Sequence, residues 1–300
     1  MKKRGRMNDE RGSEEEGSSV HPSSFILQRL SFTPSKRRLG QNFLADERVV
    51  ERIVGEVSPR ADETIIEIGP GRGALTKRLV EKAGRLVAVE FDRDLIALLQ
   101  EKFEAYKGFT LIEGDALAVD LCSLIAPVEQ ARVVANLPYY ISTAILQRLI
   151  EQRACLTEMV LMLQREVVER IVAPPGTSER GFLSVMVEAY CETERLFDVA
   201  PAAFRPVPKV WSTVARLRFR TQRALKVEDE ELLWQVVSAG FAQRRKTIFN
   251  NLRNTQGALR SRIEQAGGEG SVLESAGIEA RRRAETLTLE EWANLTRALE

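Results

Sequence analysis

Asn136-Leu-Pro-Tyr139 is the stretch of this chain whose residue types suit a planar, weakly nucleophilic amine. The lone pair of an exocyclic amine on a nucleobase is delocalised into the ring, so the amine attacks poorly unless its protons are held. The Asn136 side-chain oxygen and the Leu137 carbonyl are two acceptors on adjacent residues. Together they can hold both protons and turn the lone pair towards an electrophile, while Pro138 lacks an N–H and stiffens the turn. Such chemistry needs orientation more than a base, because the alkylated amine loses its proton to water. Tyr139 offers a ring for stacking the base, worth ~1 to 3 kcal/mol. An ordinary strand-to-helix turn with a packed tyrosine is the competing interpretation of the same four residues.

A second stretch, Thr64-Ile-Ile-Glu-Ile-Gly-Pro-Gly-Arg-Gly-Ala-Leu-Thr76, predicts a buried strand over 64–68, a glycine turn, and a helix over 74–82. Gly69, Gly71 and Gly73 permit positive φ and leave bare backbone against which a ligand can lie. The spacing is G-x-G-x-G, whereas the dinucleotide fingerprint is G-x-G-x-x-G, which argues against NAD. Glu67 would repel a pyrophosphate and welcome a cationic amino group. Arg85 to Glu90 predicts a second strand ending on an acid, placed either to accept from ribose hydroxyls or to cap the next helix; Asp92 already suits the cap. Asp115, in Gly114-Asp-Ala116 after a third strand over 109–113, can accept from an adenine amine or cap a turn.

The elements needed to position these residues follow in order. Ser35-Lys-Arg-Arg-Leu-Gly-Gln-Asn-Phe-Leu44 is either a solvated basic turn or a clasp in which Gln41 and Asn42 reach a ligand; a helix is predicted over 46–57. Further helices are predicted over 92–106, 142–153, 165–172 and 181–190, and strands over 132–135, 158–163, 194–199 and 212–219. The proline-stiffened loop Ala203-Phe-Arg-Pro-Val-Pro-Lys-Val-Trp211 lies between the last two strands. Strand-helix alternation ending in two strands close in sequence describes a doubly wound α/β sheet with an antiparallel element, which binds ligands at its carboxyl edge. Residues 1–34 are charged and Ser/Gly-rich, predicting a disordered extension in which 25–32 could form a short helix. From residue 224 the pattern is helical, over 228–241, 246–253, 256–265 and 289–299, with a capping box at Thr288-Leu-Glu-Glu291. That predicts a small all-helical C-terminal domain after a domain over 35–223.

Composition narrows the chemistry. The only histidine is His21, in the tail, so a Ser-His-Asp triad, a Cys-His pair or a His-rich metal site is excluded. Cys122, Cys155 and Cys191 are widely spaced with no C-x-x-C pair, and are read as reduced, cytosolic and not zinc ligands. No apolar run approaches the ~20 residues of a membrane span. Net charge is +1, so a basic surface must come from segregation. Between Arg205 and Arg260 there are twelve basic residues and four acidic ones. Arg205, Lys209 and the run Arg244-Arg-Lys246 suit a phosphate backbone, with a solvated face as the alternative.

Taken together, Leu39 to Leu44, Glu67 to Thr76, Glu90, Gly114 to Ala116, Asn136-Leu-Pro-Tyr-Tyr-Ile-Ser-Thr143, Leu163 to Glu166 and Phe204 to Ser212 resemble the ribosomal RNA adenine N6,N6-dimethyltransferase family, over about residues 35 to 300. The resemblance implies a Rossmann-like, S-adenosylmethionine-dependent methyltransferase sheet with a helical C-terminal domain. Its closest match is to the small-subunit enzymes that dimethylate two adjacent adenosines in the 3′-terminal hairpin loop. On matching positions it implies Gln41, Asn42, Leu44, Glu67, Gly69 and Gly71 around the donor, Glu90 on the ribose and Asp115 on the adenine. It further implies Asn136 and Leu137 on the target amine, Tyr139 stacking the target base and Phe204 as a second ring. The implied partner is small-subunit rRNA within a pre-ribosomal particle, met by a cytoplasmic monomer with no metal and no membrane. Arg180-Gly181 departs from a frequent aromatic-glycine pair, away from the chemistry. Three competing readings are a large-subunit dimethyltransferase of the macrolide-resistance type, a non-catalytic assembly or transcription factor, and a DNA adenine methyltransferase. Gly40 to Leu44 and Leu137 lean away from the first, the intact motifs argue against the second, and the loop over 204–212 with the helical tail argues against the third.

Overall fold

The computed structural model describes residues 42–221, 224, 225 and 227–300; the extension over 1–34, the segment 25–32 and Gln41 lie outside the described residues. In chain order the first half comprises β1 (Phe43–Leu44), α1 (Glu47–Val57), β2 (Thr64–Ile68), α2 (Thr76–Leu79), β3 (Arg85–Glu90), α3 (Arg93–Phe103), β4 (Phe109–Glu113), α4 (Leu121–Ile125), β5 (Ala131–Asn136) and α5 (Ser142–Glu151). Then come β6 (Leu156–Gln164), α6 (Arg165–Ile171), α7 (Phe182–Tyr190), β7 (Cys191–Val199), β8 (Phe204–Arg205) and β9 (Ser212–Phe219). In α1 the buried Val50, Ile53, Val54 and Val57 recur at helical spacing, and the Asp46 carboxylate caps the start by accepting from the Arg48 N–H. All five residues of β2 are buried, as in a parallel strand covered on both faces.

The seven-stranded sheet has the order β4-β3-β2-β5-β6-β9-β7. The first five strands are parallel, and β9 pairs antiparallel with both β6 and β7. The chain winds outward from β2 to β4, then returns to lay β5 against the other side of β2. The carboxyl ends of β2 and β5 therefore flank the point where strand order reverses, the place where such sheets open a ligand crevice. A separate two-stranded piece pairs Phe43 with Arg205 and Leu44 with Phe204, which ties residues 43 and 44 to the loop before β9.

The C-terminal segment folds as α8 (Glu230–Gly240), α9 (Ile248–Arg253), α10 (Gly257–Gln265), α11 (Glu269–Ser275) and α12 (Leu289–Arg297). The capping box forms: Thr288 Oγ1 accepts from the Glu291 N–H at 3.2 Å, and the Glu291 carboxylate accepts from the Thr288 N–H at 2.8 Å. Gly240 is required by packing, since a Cβ there would collide with the Trp292 ring. One cluster of buried side chains runs from Ile66 and Val133 in the sheet to Trp234, Ile248 and Trp292 among these helices. The boundary near residue 224 is thus a change of architecture with no break in the core.

Several expectations need correcting. The helix after the glycine turn is only the four residues of α2, because residues 71–75 are taken up in turns. β1, β8, α4 and α11 have no counterpart in the sequence pattern; the first two are too short for a period, and Gly267, Gly268 and Gly270 mask the start of α11. Cys122 and Cys155 are not free thiols but form a disulfide, with Cα atoms 5.5 Å apart. They are separated by 33 residues, and only the packing of α4 against the turn before β6 brings them together. Cys191 is free and buried, and burial pushes its thiol up to about 12.

Arg180, set aside above as a departure, is almost fully buried. Its guanidinium donates to the Ala173 carbonyl at 3.0 Å and to Glu188 at 2.6 Å, tying the segment after α6 to α7. Removing the side chain leaves a cavity in the space it fills and takes the donor from the buried Ala173 carbonyl, while Glu188 keeps access to water. Arg180→Ala is expected to lower the free energy of unfolding by about 2 to 3 kcal/mol, read from urea denaturation.

Candidate functional site

One cavity at the carboxyl ends of β2, β3, β4 and β5 gathers most of the residues singled out in the sequence: Asn42, Leu44, Glu67, Gly69, Gly71, Glu90, Asp115, and Asn136 to Tyr139 all line it. The glycine turn forms its base. Gly69, Gly71 and Gly73 have φ of 66°, 58° and 85°, the left-handed region in which a side chain is strained. A Cβ at Gly69 would project into open space, so its absence leaves room for a ligand; one at Gly71 would press the Phe43 ring at 3.1 Å.

Glu90 does more than wait for a ribose. Its carboxylate accepts from the N–H groups of Phe91 at 2.8 Å, Asp92 at 3.0 Å and Gly71 at 3.1 Å. It thereby clamps the glycine turn to the end of β3, with acceptor capacity left on the oxygen that faces Gly71. Burial raises its carboxyl above the ordinary range against the opposing effect of those three donors. Glu67 is 2% exposed and accepts from the Thr76 hydroxyl at 2.8 Å. Burial lifts its carboxyl to about 8; the Thr76 hydrogen bond lowers it and the neighbouring Glu90 charge raises it. Asp115 caps the turn, one carboxylate oxygen accepting from the Leu117 N–H at 2.9 Å, and it also lines the cavity.

Asn136 ends β5. Its amide NH₂ donates to the Asn42 carbonyl at 3.3 Å, which fixes the amide so that the side-chain oxygen is the atom left to accept from a ligand. Asn42 therefore orients Asn136 through its backbone. Leu137 is buried and donates its N–H to Met162 at 3.2 Å, anchoring the turn to β6. Pro138 accepts from the Ile141 N–H at 3.2 Å, and the chain enters α5 directly. The Tyr139 hydroxyl lies 2.7 Å from Ser212 Oγ at the start of β9, which holds the ring from its far end. Burial raises the Tyr139 phenol, opposed by that hydrogen bond.

Phe204 is not a wall of this cavity. It is completely buried in a cluster with Leu44, Val160 and Val214, beneath the clasp formed by β1 and β8. Three rings given no role from the sequence do line the cavity: Phe43, with the Arg72 guanidinium 4.7 Å above it, Phe91, 58% exposed directly after Glu90, and Tyr140, directly after Tyr139. An aromatic next to each motif residue was the available signal. Among the described residues no group of three His, Cys, Asp or Glu could hold a metal ion.

Four of the twelve basic residues between Arg205 and Arg260 are engaged in ion pairs, and Arg223 and Lys226 lie outside the described residues. Arg216 pairs with Glu56 and Glu194, Arg218 with Glu158, Arg220 with Glu192, and Arg260 with Glu264 and Glu269. Arg205 donates to the Ala202 and Phe204 carbonyls, while Lys209, Arg244, Arg245 and Lys246 are exposed, Arg244 also donating to the Ser178 carbonyl. Since Glu67 is easier to protonate folded than unfolded, its contribution to stability is complete below about pH 4.5 and lost as pH rises through about 8. Glu67→Gln is expected to remove that slope, so that thermal unfolding of the ligand-free wild type falls relative to the variant between these pH values.

The comparisons agree with the geometry. The model of the family described as "Ribosomal RNA adenine dimethylase" matches residues 33–295. A Clostridium botulinum protein named Ribosomal RNA small subunit methyltransferase A is 42% identical over 271 residues, covering 90% of this chain and 96% of the relative. Proteins of the same name from Geobacillus thermodenitrificans and Hahella chejuensis are 42% and 45% identical, covering 91% and 76% of this chain and 94% and 84% of theirs. In fold, the chain is similar to a dimethyladenosine transferase from Plasmodium falciparum, with TM-score 0.71 and 23% identity over 84% of this chain and 95% of that one. It is also similar to the 23S rRNA methyltransferase ErmE, with TM-score 0.62 and 28% identity over 86% of this chain and 99% of that one. With a family match across most of its length and a cavity walled by the residues that carry that likeness, the chain belongs to the ribosomal RNA adenine dimethylases, enzymes that methylate adenine in ribosomal RNA.

Proposed function

We propose that the chain transfers methyl groups from S-adenosylmethionine to N6 of two adjacent adenosines in the 3′-terminal hairpin loop of small-subunit rRNA, within a pre-ribosomal particle. The observation that supports this is the hydrogen bond from the Asn136 amide NH₂ to the Asn42 carbonyl, which leaves the side-chain oxygen to accept from a ligand in the cavity that Leu137, Glu67, Gly69 and Glu90 also line. S-adenosylmethionine supplies, when bound, an electrophilic methyl group on a sulfonium. The open space at Gly69 and the buried, proton-holding carboxyl of Glu67 fit its amino acid end, and Glu90 and Asp115 fit its ribose and adenine.

The chain's own contribution is orientation. Asn136 Oδ1 and the Leu137 carbonyl accept the two amine protons and pull nitrogen towards a tetrahedral shape, with its lone pair directed into the cavity. Tyr139, held by Ser212, stacks the extruded base. The alkylated amine then gives its surplus proton to water. A monomethylated amine keeps one N–H, so one acceptor suffices to hold it for a second transfer.

The choice of small over large subunit is supported by the relatives at 42% to 45% identity, named for the small subunit, against 28% for the large-subunit enzyme. The complete set of cavity residues weighs against a non-catalytic assembly factor. Exposed Lys209, Arg244, Arg245 and Lys246 suit the RNA backbone. As a cytoplasmic monomer, the chain would meet its substrate as a single partner; among the described residues no helix is long and apolar enough to cross a membrane.

Asn136→Ala is expected to abolish both transfers while donor and RNA binding stay within a few-fold of wild type, because the amide grips the amine chiefly in the reactive pose. Tyr139→Ala should weaken RNA binding as well, since stacking also holds the base before reaction. Single-turnover methylation of a small-subunit particle, with mass spectrometry separating mono- from dimethyladenosine, measures both; near-normal rates for Asn136→Ala would make the turn merely structural. Separately, Arg244→Ala with Arg245→Ala should lower RNA affinity and flatten its dependence on salt with donor affinity intact; an unchanged slope would make the cluster a solvated face.

A further inference from the structure

The loop from Arg205 to Trp211 holds an unusual share of the apolar surface left in water. Val207, Val210 and Trp211 are 58%, 38% and 47% exposed, and they belong to seven consecutive residues whose only charges are the basic Arg205 and Lys209. Pro206 and Pro208 have no N–H and hold the loop ordered, so little entropy is lost when something docks on it.

The place of Trp211 in the fold identifies what docks. Its carbonyl accepts from the Arg165 N–H at 3.0 Å, at the carboxyl end of β6. The next residue, Ser212, holds the Tyr139 hydroxyl at 2.7 Å. The indole therefore stands one residue from the support of the ring proposed to stack the target base, outside the cavity that Tyr139 lines. Nucleotides on either side of an extruded adenosine carry their bases unpaired beside that cavity. An exposed indole two residues along the chain from a lysine offers a face for such a base and a charge for its phosphate.

We infer that Trp211 stacks on an unpaired base of the substrate RNA next to the target adenosine, with Lys209 meeting the adjoining phosphate. This adds an RNA-binding ring outside the reaction cavity, and it rests on the RNA substrate of the proposed function. The role lies in holding the substrate, so it falls on RNA affinity and not on the donor.

The three tryptophans make the test direct. Trp234 and Trp292 are 5% and 0% exposed, so acrylamide quenching of the intrinsic fluorescence reports Trp211. Adding a synthetic RNA of the small-subunit 3′-terminal hairpin to the full chain is expected to protect that fluorescence from acrylamide. Trp211→Ala should raise KM for a small-subunit particle about 10-fold with a smaller fall in kcat, and Trp211→Phe should restore most of the loss. Calorimetry with S-adenosylmethionine should give the same donor affinity in all three proteins. Unchanged acrylamide quenching, or Trp211→Ala with wild-type KM while the wild type methylates normally, would overturn the inference alone. A loss of donor affinity in Trp211→Ala would make the residue structural and overturn it too. A wild-type chain that neither bound nor methylated the RNA would instead overturn the proposed function, and this inference with it.

Discussion

The three N–H groups received by the Glu90 carboxylate hold the site in its shape. Gly71 comes from the turn after β2, while Phe91 and Asp92 come from the chain leaving β3, so one side chain joins two strand ends at the carboxyl edge of the sheet. A turn with positive φ at three glycines has little of its own to fix it. Charge-assisted bonds to a buried carboxylate supply the missing restraint. Glu67, one strand over, repeats the device through the Thr76 hydroxyl, and burial, helped by the nearby Glu90 charge, lifts its carboxyl to about 8 in the ligand-free protein. Charge complementarity to a cationic ligand is thus held in reserve until the ligand arrives.

The other half of the cavity is arranged from outside the sheet. Asn42 reaches Asn136 only because β1 is pinned to β8, and Phe204 does the pinning as a fully buried ring. The loop that follows then brings Ser212 under Tyr139. Donor-side and base-side walls therefore share one short two-stranded connection. Phe204 is placed to shape the cavity through packing beneath it.

Arginine is used here mostly as mortar. Arg216, Arg218 and Arg132 interleave with Glu56, Glu63, Glu158 and Glu194 across neighbouring elements of the sheet, and Arg180 is buried outright. Most of these side chains are largely covered, and as a network across β6, β9 and β7 they hold the register of those strands. Among the described residues of this part of the chain, exposed cations at Lys209 and at Arg244 to Lys246 are open to a polyanion.

The doubly wound architecture and the acceptor groups of the turn after β5 were legible from the chain alone, because they depend on local period and on residue types at fixed spacing. β2, β3 and β9 run over Thr64–Ile68, Arg85–Glu90 and Ser212–Phe219, the bounds the sequence pattern predicts, and Asn136-Leu-Pro-Tyr139 needs no neighbour to reveal its two acceptors. What depended on distance in space was not legible. The Cys122–Cys155 disulfide, the burial of Phe204 and Arg180, the engagement of Arg216 and Arg260 in ion pairs, and the grip of Asn42 on Asn136 each join residues whose separation in sequence carries no period. Local sequence determines which groups the chain can offer to a ligand; packing between distant segments decides which of them are spent on the fold and which are left to do chemistry.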